Sequence, residues 1–351
     1  MSLLLDGTLG VPVTTVTGTL PVANGGTGVT TAIDYGFKNR IINGAMVTDQ
    51  RNAGASQTFT AAGALAYSVD RWYGYCTGAN VTGQQVAGAT TPTVTQNRYR
   101  FTGAASVTAV GFGQRIEEKN SYDLAGATCT LSADLGISAT LTTVTWTAYY
   151  ATTTADTFGS LASPTVTSIA TGTFTVGAAV ANFSANISVP AAATTGIQIL
   201  FTVGALTAGL TWTIGNVQLE KGSTATSFDY RPYGTELSLC QRYLPAFIST
   251  GSSTFVGSGY AVSATGGVAN YVFKTTARTP PTGVTVSATS DFEVMAGSSG
   301  AITATVITFA YASTDGAVIN TTVASGQTTN AGAFLRGLNS SAKLLFTGCE
   351  L

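Results

Sequence analysis

Along most of this chain apolar and polar residues alternate with a period of two. The alternation runs through Val144-Thr-Trp-Thr-Ala-Tyr-Tyr150, Gly196-Ile-Gln-Ile-Leu-Phe-Thr-Val203 and Leu210-Thr-Trp-Thr-Ile-Gly-Asn-Val-Gln-Leu-Glu220. Residues two apart share a face of a strand, so these runs, rich in β-branched and aromatic residues, predict strands with one buried face. From Phe37 to Tyr233 such runs recur roughly every ten residues between Gly, Pro, Asn and Ser, which predicts an antiparallel sandwich or jelly roll. One helix is expected, over Thr235-Glu-Leu-Ser-Leu-Cys-Gln-Arg-Tyr-Leu244, just after Arg231-Pro232. Thr235 is placed to cap it, Glu236 suits its first turn, and Leu237, Cys240 and Leu244 fall on one face. After Pro245 the strand pattern resumes, with Gly/Ser loops at 251–259, 297–300 and 313–317. The expected architecture is all-β: an extended N-terminal segment over 1–36, a jelly roll over 37–234 and a smaller β domain over 235–351.

Composition narrows the chemistry. Of 351 residues only 9% are charged, against about one-quarter in average domains, while 41 are glycine. The absence of any histidine removes Ser-His and Cys-His nucleophile pairs, imidazole bases and His-ligated metals. Lys and Arg number 15 against 16 Asp and Glu, with no basic cluster to neutralise a phosphate backbone, so no nucleic-acid partner is expected. Cys76, Cys129, Cys240 and Cys349 form no CxxC pair and are read as free, buried, small apolar residues, and no cofactor is expected. The start Met-Ser-Leu-Leu-Leu-Asp-Gly has no basic region or apolar run of signal-peptide length, and no apolar window is long enough to span a bilayer. Synthesis in the cytoplasm without membrane insertion is therefore expected.

Between Asp134 and Glu220 the only charged side chain is Asp156. A lone domain with so little surface charge is prone to edge-to-edge pairing, so other copies of the chain are expected to cover it. Residues 1–36 are too glycine-laden to hold a core and are expected to order against a partner or another copy. Their Gly-rich run lacks the Lys-Ser or Lys-Thr of a phosphate loop.

Several stretches resemble one family. Leu20-Pro-Val-Ala-Asn-Gly-Gly-Thr-Gly28 resembles the linker near the N-terminal end of many bacteriophage tail fibres. Asn39-Arg-Ile-Ile-Asn-Gly-Ala-Met46 and Tyr67-Ser-Val-Asp-Arg-Trp72 resemble the opening of the carbohydrate-binding-module-like jelly roll in phage and prophage fibres. Gly215-Asn-Val-Gln-Leu-Glu-Lys-Gly222, Phe228-Asp-Tyr-Arg-Pro232 and Cys240-Gln-Arg-Tyr243 are similar to its closing strand and following helix. Leu345-Phe-Thr-Gly-Cys-Glu-Leu351 resembles the final strand of such fibres but departs from it at Gly348-Cys349, and roughly 80–205 carries no family motif. The resemblance implies a homotrimeric virion protein, made in the host cytoplasm, joined to a tail or baseplate protein through residues 1–36.

Aromatic residues supply the candidate binding groups. In Asp70-Arg-Trp-Tyr-Gly-Tyr75 a strand would place Asp70, Trp72 and Gly74 on one face and Arg71, Tyr73 and Tyr75 on the other. Trp72 is expected in the core; Tyr73 and Tyr75 are secondary glycan candidates whose other reading is plain packing. Tyr260, Tyr271 and Tyr311 lie in or beside Gly/Ser-rich loops. With the N-terminus fixed to the tail, the loops around 251–260, 270–278 and 311–317 would face the cell. The three tyrosines would stack on sugar rings while Asp315 and Arg278 bond hydroxyls or acidic substituents. Core or trimer packing is the competing reading for each tyrosine.

Glu117-Glu-Lys119 holds the one adjacent carboxylate pair, with Asp123 and Asp134 as distant partners. Glycosidases need two carboxylates about 5–10 Å apart across a cleft, whereas strand neighbours point to opposite faces, so a charged turn or solvated edge is expected. Asp291-Phe-Glu293 and Ser313-Thr-Asp-Gly316 offer oxygen ligands for calcium without EF-hand spacing, and Asp315-Gly316 reads as a hairpin turn. The function expected is a non-enzymatic adhesin for host surface polysaccharide. The alternatives are a structural spacer or decoration protein, and a polysaccharide-cleaving fibre.

Overall fold

The computed structural model describes residues 37–61, 64–88, 97–138, 140–296 and 300–351. The attachment segment expected at 1–36 lies outside the described residues. Residues 39–351 form one compact unit.

Its first part is an antiparallel β-sandwich. The strands are β1 (Gln57–Phe59), β2 (Ala66–Tyr67), β3 (Tyr73–Thr77), β4 (Val81–Ala87), β5 (Asn97–Thr102) and β6 (Ala109–Ile116). They continue as β7 (Thr128–Ile137), β8 (Thr143–Ala151), β9 (Val166–Thr175), β10 (Ala181–Ser188), β11 (Ile197–Val203) and β12 (Thr211–Lys221). Among the described residues one sheet has the order β1-β4-β5-β12-β7-β10 and the other β2-β3-β6-β11-β8-β9. The hairpins β2–β3, β4–β5 and β8–β9 stay within one sheet and every other connection crosses between the two, which gives the jelly-roll form that period-two patterning predicts. Trp72, Tyr99, Phe101, Phe112, Phe201 and Trp212 fill the core between the sheets. Trp72 and Phe112 stack with centroids 4.8 Å apart, and Phe101 and Trp212 at 5.4 Å.

The Asn39–Met46 motif is structural. Asn39 Nδ2 donates to Val217 O (3.0 Å), and its Oδ1 accepts from Ile41 N and Leu219 N. Asn43 Nδ2 donates to the carbonyls of Thr48 and Asp70, and Trp72 Nε1 donates to Asn43 O. Gln114 closes the ring by pairing with both backbone groups of Ile42. Buried amide side chains here take the ladder's place, satisfying the backbone of a segment that joins neither sheet.

Helix α1 (Glu118–Ser121) follows β6, and helix α2 (Tyr233–Gln241) follows the sandwich. Helix α2 starts two residues before Thr235, with Pro232 as N-cap and no side-chain cap bond, so Thr235 does not cap it. Proline's fixed φ suits a helix entrance, which explains the earlier start. Glu236, Cys240 and Gln241 form its buried positions, while Leu237 is only half-buried.

The remaining strands are β13 (Ala246–Ile248), β14 (Thr254–Ala261), β15 (Gly266–Val272), β16 (Gly283–Val286), β17 (Phe292–Ala296), β18 (Ala301–Ala312), β19 (Gly316–Val323), β20 (Gly332–Gly337) and β21 (Lys343–Thr347). Six close into an antiparallel barrel, β14-β15-β19-β18-β17-β20, and β13-β21-β16 form a small sheet. The second core is shared by both. Asp315 sits in the β18–β19 hairpin as expected, and all four cysteines are buried and free.

Candidate functional site

The outward face of the second sheet is an uncharged platform over much of its area. Gly74 and Cys76 of β3 point inward, so Tyr73 and Tyr75 point out. The β6 residues beside them are Gly111 and Gly113. A Cβ on Gly111 would lie 2.1 Å from the Tyr75 ring, and one on Gly113 would lie 2.5 Å from the Tyr73 hydroxyl, so glycine lets both rings lie flat. Leu200 and Thr202 of β11 continue the face opposite these glycines, followed by Thr145, Thr147 and Tyr149 of β8 and Thr171 and Thr173 of β9. Tyr75, Tyr149, Leu200 and Thr147 are half-buried, and Thr171 and Thr173 are exposed. Thr147 and Thr171 share a hydroxyl hydrogen bond of 3.1 Å, as do Thr77 and Thr108 at 2.8 Å.

One end of this face is closed. Arg115 Nε donates to Gln198 Oε1 (2.9 Å), Nη2 to Gly159 O (2.7 Å) and Nη1 to Leu351 O (3.0 Å). Its guanidinium also lies 5.5 Å from the Tyr73 ring. Tyr73 is 1% exposed and burial pushes its phenol well up, which removes it from sugar contact. Tyr75 remains reachable. Tyr149 was absent from the sequence-derived candidates, although alternation with inward Trp146 already places it outward.

The C-terminal candidates separate. Residues 254–261 are strand β14, not loop, and put Tyr260 on the outer barrel wall at 50% exposure. Tyr311, 67% exposed at the end of β18, shares a hairpin with exposed Asp315, whose Oδ1 accepts from Thr276 Oγ1 (3.0 Å). Strands β15 and β19 lie between β14 and β18, so Tyr260 and Tyr311 form no single cluster. Tyr271 is a correction. It pairs opposite Ala317, stacks on Phe346 at 5.3 Å and donates its hydroxyl to Ala246 O (2.8 Å). Burial pushes its phenol up to about 12, and it is core. Arg278 is another: Nε and Nη2 donate to the carbonyls of Cys349 and Glu350 (2.8 Å each), so its guanidinium holds backbone.

The carboxylates are engaged elsewhere. Glu117 is buried, not a solvated turn, and accepts from Arg242 Nη2 (2.8 Å) and Tyr243 Oη (2.9 Å). Burial opposes its ionisation, but Arg242 and Tyr243 outweigh it and hold the carboxyl below the usual range. Burial raises Asp156, whose Oδ1 accepts from Glu118 N (2.7 Å). Asp123 pairs with Arg40 (2.7 Å), Asp134 bonds Asn182 and Asn216, and Glu293 pairs with Arg336.

A second charged group sits where the sandwich meets the last residues. Arg71, 1% exposed with a φ of 74°, lies 3.5 Å above the Tyr243 ring and donates to the Glu350 carboxylate. Arg51 also pairs with Glu350 (2.9 Å) and stands 3.6 Å from Asp70. Burial pushes the Asp70 carboxyl up to about 7 despite Arg51 and two bonds from Gln50.

No protein-family model matches the chain, and no curated protein sequence matches it. Solved structures do. The enzymatically active domain of tailspike protein 4 of bacteriophage CBA120 is 16% identical, with 53% of this chain and 22% of that one covered and a TM-score of 0.33. A CBM4 module is 16% identical, covering 51% and 98%, at a TM-score of 0.30. The C-terminal family 22 carbohydrate-binding module of Clostridium thermocellum Xyn10B is 13% identical, covering 49% and 95%, at 0.31. This chain therefore spans about a fifth of the tailspike domain's length and nearly all of each module.

Proposed function

We propose that this chain is a phage tail-fibre adhesin that holds a host surface polysaccharide without cleaving it. In this reading it acts in the virion as a homotrimer, with residues 1–36 toward the tail. The observation that carries the glycan reading is the platform of Tyr75, Tyr149, Leu200 and threonine hydroxyls on the second sheet. A pyranose ring has an apolar C–H face that suits a flat phenol ring and hydroxyls that suit threonine side chains. No charge lies along the open part of the platform, which fits a neutral glycan. Each contact is weak, and several copies would gain avidity through effective concentration. The non-enzymatic reading is supported by the full occupation of Glu117 by Arg242 and Tyr243, which leaves it no proton to exchange with a glycosidic oxygen.

The test is binding of the full chain to purified host surface polysaccharide by interferometry, with sedimentation for its oligomeric state. The double variant Tyr75→Ala/Tyr149→Ala should weaken binding at least about tenfold, or 1.4 kcal/mol, without changing the melting temperature. If Tyr260→Ala/Tyr311→Ala removes binding instead, the contact lies on the barrel and the platform assignment fails. Retention of neither polysaccharide nor host cells by the wild type would leave a structural spacer as the function. New reducing ends would make it an enzyme.

A further inference from the structure

We propose that the cleft between the Thr48–Gln50 turn, helix α2 and strand β13 is a second saccharide site, one that takes a single pyranose ring. The proposal rests on the glycan-binding reading above and adds a site that shares none of its platform residues. The cleft has a volume of about 270 Å³. That is just below the roughly 300–1,000 Å³ of pockets for drug-sized ligands, so it suits one ring and not a chain of several.

Its lining has the two halves a pyranose requires. Tyr233, Leu237 and Ile248 give an aromatic and apolar wall, and Asp49, Gln241 and Lys274 give the polar side. Tyr233 is 60% exposed although it opens a helix, and Ile248 is 42% exposed although it lies in a strand. Both apolar surfaces are therefore available to a ligand. The polar side is rigid before any ligand arrives. Asp49 accepts the backbone N–H groups of Asn52 (3.0 Å) and Gly54 (2.8 Å), which fix its carboxylate. Gln241 Nε2 donates to Gln50 Oε1 (3.1 Å), and Gln50 is held in turn by Asp70. Preorganised acceptors spare the ordering cost that weakens most sugar binding. The lining holds one lysine, Lys274, and one carboxylate, Asp49, a balance that favours a neutral ligand over a phosphorylated or polyanionic one, and the fixed polar groups disfavour an aliphatic one.

The test is saturation-transfer difference NMR on the full chain with millimolar methyl glucopyranoside, methyl galactopyranoside and methyl N-acetylglucosaminide. At least one should take saturation from the wild type. That signal should fall at least tenfold in Tyr233→Ala and in Ile248→Thr, and should persist in Tyr75→Ala/Tyr149→Ala. Equal signals in wild type and Tyr233→Ala, loss in the platform variant alone, or no signal from any pyranoside would each overturn the cleft site. If polysaccharide still binds in those cases, the adhesin reading survives the loss of the cleft. A Tyr233-dependent pyranoside signal without any polysaccharide binding would instead keep the cleft and remove the adhesin reading.

Discussion

In the sandwich most large aromatic side chains point inward, whereas in the barrel several point out. Trp72, Tyr99, Phe101, Phe112 and Trp212 are all 1% exposed or less. The barrel interior is lined by Ala261, Ala269, Ala296, Ala304 and Ala317 with Val294, Ile319 and Leu335. Phe255, Tyr260, Val272 and Tyr311 stand outside at 60, 50, 75 and 67% exposure. The cause is width. Two facing sheets stand about 10 Å apart and admit interdigitated rings, whereas a barrel narrows with strand number and six strands leave room for many alanines and a few larger aliphatic side chains. The barrel's buried rings, Tyr271 and Phe292, pack against Phe346 and Phe247 of the small sheet. An exposed ring on the barrel is thus what its geometry dictates. A ring turned outward on a sandwich strand, where inward room is ample, asks for a functional reason, and half-buried Tyr75 and Tyr149 are two such residues.

Substitutions can break this contrast. The largest effect is expected for Trp72→Ala, which opens a cavity in the aromatic core and should cost about 3–5 kcal/mol in urea denaturation. Glu350→Gln removes the partner of a buried arginine and should cost about 3 kcal/mol by the same measurement, since it strands the Arg71 charge at the seam. The Asp70 carboxyl, raised by burial from 3.8 to about 7, gives the seam a pH dependence. Between those values the folded chain keeps a proton that the unfolded chain releases. Stability should therefore fall as pH rises through the window, by up to about 1.4 kcal/mol per pH unit, and level off above it. Asp70→Asn should remove this slope; an unchanged slope would place its origin elsewhere. In the barrel, Ala317→Val should cost about 1–3 kcal/mol by overpacking, and a variant as stable as the wild type would refute the width argument. Tyr311→Ser should shift stability by no more than about 0.5 kcal/mol, the smallest effect of the set.

The strands, the core position of Trp72, the free cysteines and the helix near 235 were legible because each depends on local periodicity or spacing. The placement of Tyr271 was not. Its ring is buried by distant residues, stacking on Phe346 of the small sheet and donating to Ala246 O, neither of which the sequence around Tyr271 reveals. Glu117 was misread for a related reason: its partner Arg242 is 125 residues away, on the far side of the sandwich sequence. Arg278 answers to backbone carbonyls about 70 residues downstream, and a carbonyl leaves no trace in sequence. Tyr149 was readable from the Val144–Tyr150 alternation, whereas the platform needed the β6 glycines and β11 to bring Tyr75 and Tyr149 onto one face.

The Arg71–Glu350 pair also sets an order of events during folding. Arg71 emerges in the first quarter of the chain and adopts a left-handed backbone conformation at the seam, yet its carboxylate lies 279 residues later. Until that segment docks, the cation has no counter-charge and the sandwich cannot fully close over it. Contacts of such long sequence separation pay their loop-closure entropy before they are rewarded, so they form late. Ribosome-bound chains that stop short of Glu350 would therefore carry a loosened sandwich, and docking of residues 349–351 would act as the final lock on a fold begun some 300 residues earlier.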